Sequence, residues 1–126
     1  QDTSSAASDV YKRQSLFINP NIKDVRSSFK LGANAIEIHT GSFANAIKAK
    51  NKNKTIFEFN KIKKCKSECE KTKMKFNLGH GLDYKSTKYL NKIKNINEYN
   101  IGHFIIGESL FDGFPKVIKK FKRLLG

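Results

Sequence analysis

The chain has 126 residues, of which 38% are hydrophobic, and carries a net charge of +14 from 25 Lys and Arg against 11 Asp and Glu. This length accommodates one small domain with a hydrophobic core and excludes two domains of ordinary size. No apolar run approaches the roughly 18–20 residues that a membrane-spanning helix needs, so the sequence contains no candidate span.

The positive charge raises the question of a nucleic-acid partner. The lysines are spread over every predicted helix, as in "KIKKCKSECEKTKMK" and "KVIKKFKRLLG", whereas Arg is scarce. Specific readers of nucleic acids use Arg side chains and aromatic residues set among the basic ones. We therefore expect solvated helix faces and no nucleic-acid partner, although a positive field would also favour phosphorylated ligands.

Two cysteines, Cys65 and Cys69, lie four residues apart in a Lys-rich stretch. This spacing matches neither a CxxC redox motif nor half of a usual zinc site. The simplest interpretation is a reduced, cytoplasmic chain.

The first fourteen residues, "QDTSSAASDVYKRQ", differ in composition from the rest. They are rich in Ser, Ala and Asp and show no hydrophobic periodicity. We expect residues 1–14 to be a disordered or non-native tail, and residues 15–126 to form the folded part of the chain.

From Ser15 onward, strand patterns alternate with helix patterns. Short apolar or alternating segments predict strands, and apolar residues at intervals of three and four predict helices. In chain order the predictions are a strand at 15–19, a helix at 22–31 ended by Gly32, a strand at 34–41, a helix around 57–74 after a longer polar stretch, a strand at 75–81, a helix at 84–94, a strand within 99–107 and a helix at 114–126. Four such units predict an α/β fold with a parallel sheet, because each helix returns the chain to the same end. A closed (β/α)8 barrel needs about 200–250 residues, so this chain is too short to close one.

The three histidines of the chain, His39, His80 and His103, each follow a predicted strand core by one or two residues. The carboxyl ends of parallel strands lie at one edge, where α/β proteins bind their ligands. A single histidine there would more often pack or cap, but three favour a shared functional rim. Gly81 and Gly102 flank two of them and could turn backbone N–H groups toward a phosphate, although glycines are also common in ordinary turns.

Glu37 is the remaining candidate, since it lies inside the apolar segment "AIEIH". Alternation places it on the face opposite Ile36 and Ile38. A buried carboxylate must be paired or must shift its pKa. A position near a catalytic rim and a structural ion pair with a lysine of a neighbouring strand are equally compatible with this pattern.

The segments "SLFIN", "AIEIHTGSFANA", "FNLGHGLDY" and "YNIGHFIIGESLFDG" resemble the C-terminal half of pyridoxine 5'-phosphate synthase. The resemblance covers residues 15–126, and EIHTG, NxGHGL and NIGHxIIG in this order are specific in combination. It implies a TIM, or (β/α)8, barrel of which this chain holds strands five to eight. It also implies a cytoplasmic, octameric transferase of vitamin B6 biosynthesis that uses neither metal nor cofactor. This enzyme condenses 3-amino-2-oxopropyl phosphate with 1-deoxy-D-xylulose 5-phosphate to give pyridoxine 5'-phosphate, phosphate and water.

The same resemblance implies roles for individual residues. The general acid falls on His80, and the glutamate that stabilises charge in the transition state falls on Glu37. The residues that bind the phosphate of the aminoketone substrate are Gly81, Gly102 and His103. His39 receives no catalytic step and is expected to support the neighbouring rim.

The family's first half carries further catalytic residues, among them a His, a Glu and nearby Arg side chains, which this sequence lacks. The resemblance therefore implies an enzyme fragment that is inactive alone. The alternative is a small basic α/β module that binds phosphorylated ligands or nucleic acid without catalysis.

Overall fold

The computed structural model describes residues 15–102, 108, 109 and 112–126. It contains four strands and five helices of defined extent within these residues. They are β1 (Ser15–Ile18), α1 (Ile22–Lys30), β2 (Ala35–His39), α2 (Gly41–Lys48), α3 (Lys52–Cys69), β3 (Lys75–Gly79), α4 (Tyr84–Leu90), β4 (Glu98–Asn100) and α5 (Phe114–Leu125).

The four strands form one sheet in the order β1-β2-β3-β4, and every neighbouring pair is parallel. The register aligns two rows of residues across the sheet. One row is Phe17, Glu37, Asn77 and Glu98, and the next is His39, Gly79 and Asn100. Because side chains alternate between the faces of a strand, both rows lie on the same face. The predicted α/β fold with a parallel sheet is confirmed.

The opposite face of the sheet carries the hydrophobic core. Ile36 and Ile38 of β2, together with Phe76 and Leu78 of β3, are at most 1% exposed. They belong to one buried cluster with side chains from all five helices. Parallel strands joined in sequence by right-handed crossovers place their helices on one face. The helices therefore cover this face, and Glu37 and its row lie on the other.

Side-chain caps set the beginning of three helices. The Asn21 side chain accepts a hydrogen bond from the Asp24 amide at 2.8 Å, and Asn51 accepts one from Lys54 at 3.1 Å. Asp83 forms a reciprocal capping box with Ser86 at the start of α4. Such caps satisfy amide groups that lack a partner within the helix.

The helix predicted around 57–74 exists but is wrong in its bounds, because it begins and ends five residues earlier. Helix α3 begins at Lys52, after the Asn51 cap, and ends at Cys69. Helix α2 forms within the stretch that the sequence pattern described as polar. Its apolar residues Phe43, Ala44, Ala46 and Ile47 are all buried, but the glycine and serine at its start and Asn45 between the apolar residues obscure the spacing.

The fourth strand lies earlier than predicted. It was expected within 99–107, whereas β4 spans Glu98–Asn100 and pairs with β3. Residues 103–107, which include His103, lie outside the described residues, and so does the predicted tail at 1–14. None of the helices in the described part of the chain has the length and apolar character to span a bilayer.

Candidate active site

A cleft of about 720 Å³ opens at the carboxyl ends of the strands. The structure brings four of the predicted site residues together in its lining, namely Glu37, His80, Gly81 and Gly102. Side chains that the sequence did not single out also line it. They are Phe17, Lys48, Leu82, Asp83, Asn100 and Ile101.

The Glu37 carboxyl group lies directly over the backbone of Gly79. A Cβ atom at residue 79 would overlap Glu37 Oε2 and would stand 2.8 Å from Glu37 Cδ, so only glycine leaves room for this side chain. Oε2 is buried and has no hydrogen-bond partner among the described residues. Within the same residues no lysine forms an ion pair with Glu37, which disfavours the structural pairing that the sequence left open.

The environment of Glu37 favours its neutral form. Burial raises the pKa of this carboxyl group, a hydrogen bond from the Asn100 side chain opposes the shift, and the nearby Glu98 carboxylate adds to it. Glu98 lies two strands away in the same row of the sheet. Glu37 thus keeps its proton to higher pH than an exposed glutamate.

This shift predicts a pH-dependent effect of Glu37→Gln on stability. A raised pKa in the folded state stabilises the fold below the ordinary glutamate pKa, and the contribution is lost as pH rises through the folded pKa. The variant should therefore match the wild type near pH 4 and become the more stable of the two as the pH approaches about 7. Urea unfolding of both proteins across this range measures the difference. Glu70→Gln, which removes an exposed carboxylate that pairs with Lys66 at the end of α3, is the control for the loss of a negative charge. A constant difference for Glu37→Gln at all pH values would contradict the prediction.

His80 directly follows β3 in an unusual backbone conformation. Its φ is 89°, and that of Gly81 is 74°. A residue other than glycine at positive φ is strained, and such strain is concentrated at functional sites. A Cβ atom at Gly81 would stand 3.3 Å from Ala44 Cβ, so this turn packs closely on the start of α2.

Thr40 holds the turn at residues 79–81 in place. Its buried hydroxyl oxygen lies 2.8 Å from the Gly79 carbonyl oxygen and 2.7 Å from that of His80. The Thr40 amide also donates to the Gly79 carbonyl at 2.8 Å. Although Thr40 precedes helix α2, its side chain makes no capping bond. The hydroxyl group thus fastens the His80 turn to β2.

Thr40→Val should lower the free energy of unfolding by about 1–3 kcal/mol, because it leaves the partly buried His80 carbonyl group without this donor, whereas the Gly79 carbonyl keeps the Thr40 amide. Valine keeps the shape of threonine, so the loss reports on the hydroxyl group. Thr40→Ser keeps this donor and is the matched control. Chemical denaturation measures all three proteins, and a serine variant as unstable as the valine variant would contradict the assignment.

His39, the last residue of β2, contacts His80 from the neighbouring strand. The two imidazole rings are stacked with centroids 4.1 Å apart and an angle of 26° between planes. The Gly41 amide donates a hydrogen bond to His39 Nδ1 at 3.3 Å. Two of the three histidines expected at one rim therefore lie together there.

Several residues at this edge gave no recognisable signal in the sequence. No sequence pattern distinguishes Lys48 from the other lysines. It lines the cleft because it is the last residue of α2, and this helix ends there. Asn100 and Gly79 depend on the register of β2, β3 and β4. In the described part of the chain, no three His, Cys, Asp or Glu side chains are grouped as metal ligands.

The parallel sheet defines an α/β protein, and a carboxyl group, an imidazole and glycines at the carboxyl ends of its strands are typical of ligand sites in this class. The sequence model of the family described as "Pyridoxal phosphate biosynthesis protein PdxJ" matches residues 1–126, and the chain belongs to this family.

Three curated relatives illustrate the similarity, and each bears the name pyridoxine 5'-phosphate synthase. The protein of Pelagibacter ubique is 50% identical over 112 residues, which are 89% of this chain and 46% of the relative. That of Blochmanniella floridana is 40% identical over 118 residues, which cover 94% of this chain and 47% of the relative. That of Sulfurihydrogenibium is 42% identical over 111 residues, with 88% and 44% covered. The chain thus spans a little under half the length of these relatives, and the resemblance read from its motifs is confirmed.

Proposed function

We propose that this chain supplies part of the active site of a pyridoxine 5'-phosphate synthase. The enzyme would condense 3-amino-2-oxopropyl phosphate with 1-deoxy-D-xylulose 5-phosphate. The observation that carries the proposal is the cleft in which Glu37, His80, Gly81 and Gly102 meet. Membership of the family and the name shared by its curated relatives support it.

In the proposed mechanism, His80 is the general acid. Its side chain is exposed in the cleft, and the glycine that follows it leaves space for a substrate. An imidazole can give and take a proton near neutral pH, as ring closure with loss of water requires.

Glu37 is proposed to stabilise charge that develops in the transition state. The residue lines the cleft, and its buried Oε2 atom has no hydrogen-bond partner among the described residues. A preorganised polar group in a site with little water interacts strongly with such charge. With its pKa raised, the carboxyl group can donate a hydrogen bond to a developing oxyanion.

The phosphate of the aminoketone substrate is proposed to bind at Gly81, Gly102 and His103. Gly81 lies in a left-handed turn, a conformation in which successive backbone N–H groups can form an anion-binding concavity. Lys48 adds a positive charge to the same cleft. Together these groups suit a dianionic phosphate.

We further propose that β1 to β4 are strands five to eight of a (β/α)8 barrel, to which residues 15–126 contribute. Four parallel strands in sequential order with helices on one face have the architecture of half such a barrel. The remaining part would complete the site, so we expect this chain to be inactive alone. A cytoplasmic location and a homo-octamer belong to the same proposal.

A chimera tests the proposed function directly. The N-terminal portion of the Pelagibacter ubique relative, joined to residues 15–126 of this chain, should form pyridoxine 5'-phosphate from the two substrates. Neither portion alone should do so. A folded chimera that binds both substrates but releases no product would contradict the proposal and favour a non-catalytic module for phosphorylated ligands.

The open face of the sheet predicts that the isolated chain self-associates. Phe17 is 60% exposed on this face, and β1 pairs only with β2 among the described strands. Unpaired strand edges and exposed aromatic rings promote pairing with another chain. Sedimentation velocity should show species larger than a monomer, and Phe17→Ser should reduce their amount. A single monomeric species with cooperative unfolding would contradict this expectation.

A further inference from the structure

Three aromatic side chains from neighbouring strands form a row along the rim, which we call the ring row: Phe17, His39 and His80. The Phe17 and His39 rings have centroids 5.9 Å apart at an angle of 45°. The His39 and His80 rings are stacked at 4.1 Å. His39 thus lies between a phenyl ring on one side and the imidazole of His80 on the other.

The hydrogen bond from the Gly41 amide fixes the orientation of the His39 ring. Nδ1 accepts this bond, so the neutral ring carries its proton on Nε2. Gly41 also leaves the space that the stack occupies. A Cβ atom there would stand 2.6 Å from His39 Cε1, closer than unbonded carbon atoms approach, and 3.0 Å from His80 Cδ2, tighter than most such contacts.

The His80 side chain has few other restraints within the described residues. Thr40 holds its backbone carbonyl group, but the side chain itself is exposed. The ring contact that the structure records for it is the stack on His39. An exposed imidazole without such a contact would exchange between rotamers.

We propose that His39 is a positioning residue: held by the Gly41 amide and by Phe17, it fixes the His80 imidazole in the cleft. The role of His80 in proton transfer rests on the proposed function, whereas the geometry of the ring row does not. His39 itself touches no reacting atom. Its effect on catalysis is exerted through the placement of the His80 ring, since small displacements of a proton donor reduce the rate strongly.

Magic-angle-spinning NMR of the full chain with labelled histidine tests the geometry, and it tolerates self-association. The expected spectrum has a through-space correlation between the His39 and His80 rings and a His39 ring protonated on Nε2 with a bare Nδ1. A His39 ring protonated on Nδ1 alone, or the absence of the correlation, would overturn the proposal.

Gly41→Ala tests the stacking of the two rings while both histidines remain in the chain. Alanine suits the first position of a helix, so the variant should fold, yet its methyl group should displace the His39 ring and abolish the correlation with His80. Ser42→Ala, at the next and exposed position, is the matched control and should keep the correlation. A folded Gly41→Ala protein with an unchanged correlation would overturn the proposal.

In the chimera, His39→Ala should lower kcat by on the order of 10²-fold with little change in KM. His39→Phe, which restores a ring for stacking, should recover part of the loss. An unchanged kcat in His39→Ala would overturn the positioning role. If the unsubstituted chimera is inactive but the full chain gives the expected NMR spectrum, the result counts against the proposed function. The geometry of the ring row would still be supported.

Discussion

Replacing His80 with asparagine in the chimera should lower kcat by about 10²–10⁴-fold, the range that general acid–base groups contribute. The side chain lines the cleft and is the imidazole that the proposed mechanism uses for proton transfer. Asparagine tolerates positive φ better than alanine, so it should preserve the turn at φ 89° while removing the titratable group. The loss then reports on proton transfer and not on a rearranged backbone.

Initial rates with both substrates, and a thermal unfolding curve for each variant, form the measurement. His80→Ala is the companion variant: it should lose as much activity and some stability, because alanine is strained at this φ. If His80→Asn is folded and retains kcat within a few-fold of the unsubstituted chimera, another group donates the proton. Glu37→Gln should retain more activity than His80→Asn, since glutamine can still donate a hydrogen bond to an oxyanion.

Much of the fold follows from local sequence patterns. The alternation in "AIEIH" and "KFNLG" places Ile36, Ile38, Phe76 and Leu78 on one face, and the structure buries all four. Side-chain caps at Asn21 and Asp83 begin α1 and α4 close to where the hydrophobic periodicity predicts helices. These elements are specified by interactions within a few residues, which sequence reasoning can evaluate.

Helix α2 and strand β4 show where local patterns fail. Helix α2 begins with glycine after a threonine whose hydroxyl group bonds a distant turn and not its own helix. The threonine is a usual start signal in sequence, but the capping bond that it would make is absent. Strand β4 has three residues, of which only Tyr99 is apolar, and it forms because β3 offers a partner edge. Tertiary context decides both elements.

The site shows the same division. Motifs identified Glu37, His80, Gly81 and Gly102, but they gave no information on how these residues are held. Thr40 bonds carbonyl groups 39 and 40 residues further along the chain. The fit of Glu37 over Gly79 and the ring row likewise depend on strand register, which the sequence did not specify at the level of single residues.

Gly79→Ala should lower the free energy of unfolding by about 1–3 kcal/mol. The new Cβ would overlap Glu37 Oε2 and stand 3.1 Å from Asn100 Cβ, at the buried carboxyl end of β3. The backbone of Gly79 is not in the left-handed region, so the loss is one of space and not of conformation. Gly102→Ala is the matched control, because among the described residues its Cβ would meet only the Asn100 Oδ1 atom, at 3.8 Å.

A double-mutant cycle identifies the clashing partner. In the Glu37→Ala background the carboxyl group is gone, so the cost of Gly79→Ala should fall and the two substitutions should be strongly coupled. The cost should not vanish, since the Asn100 contact remains. Additive effects of the two substitutions would mean that the carboxyl group does not lie over Gly79. In that case Oε2 would not occupy the buried position in which it has no hydrogen-bond partner among the described residues. The proposed contribution of Glu37 to the transition state would then lose its structural basis.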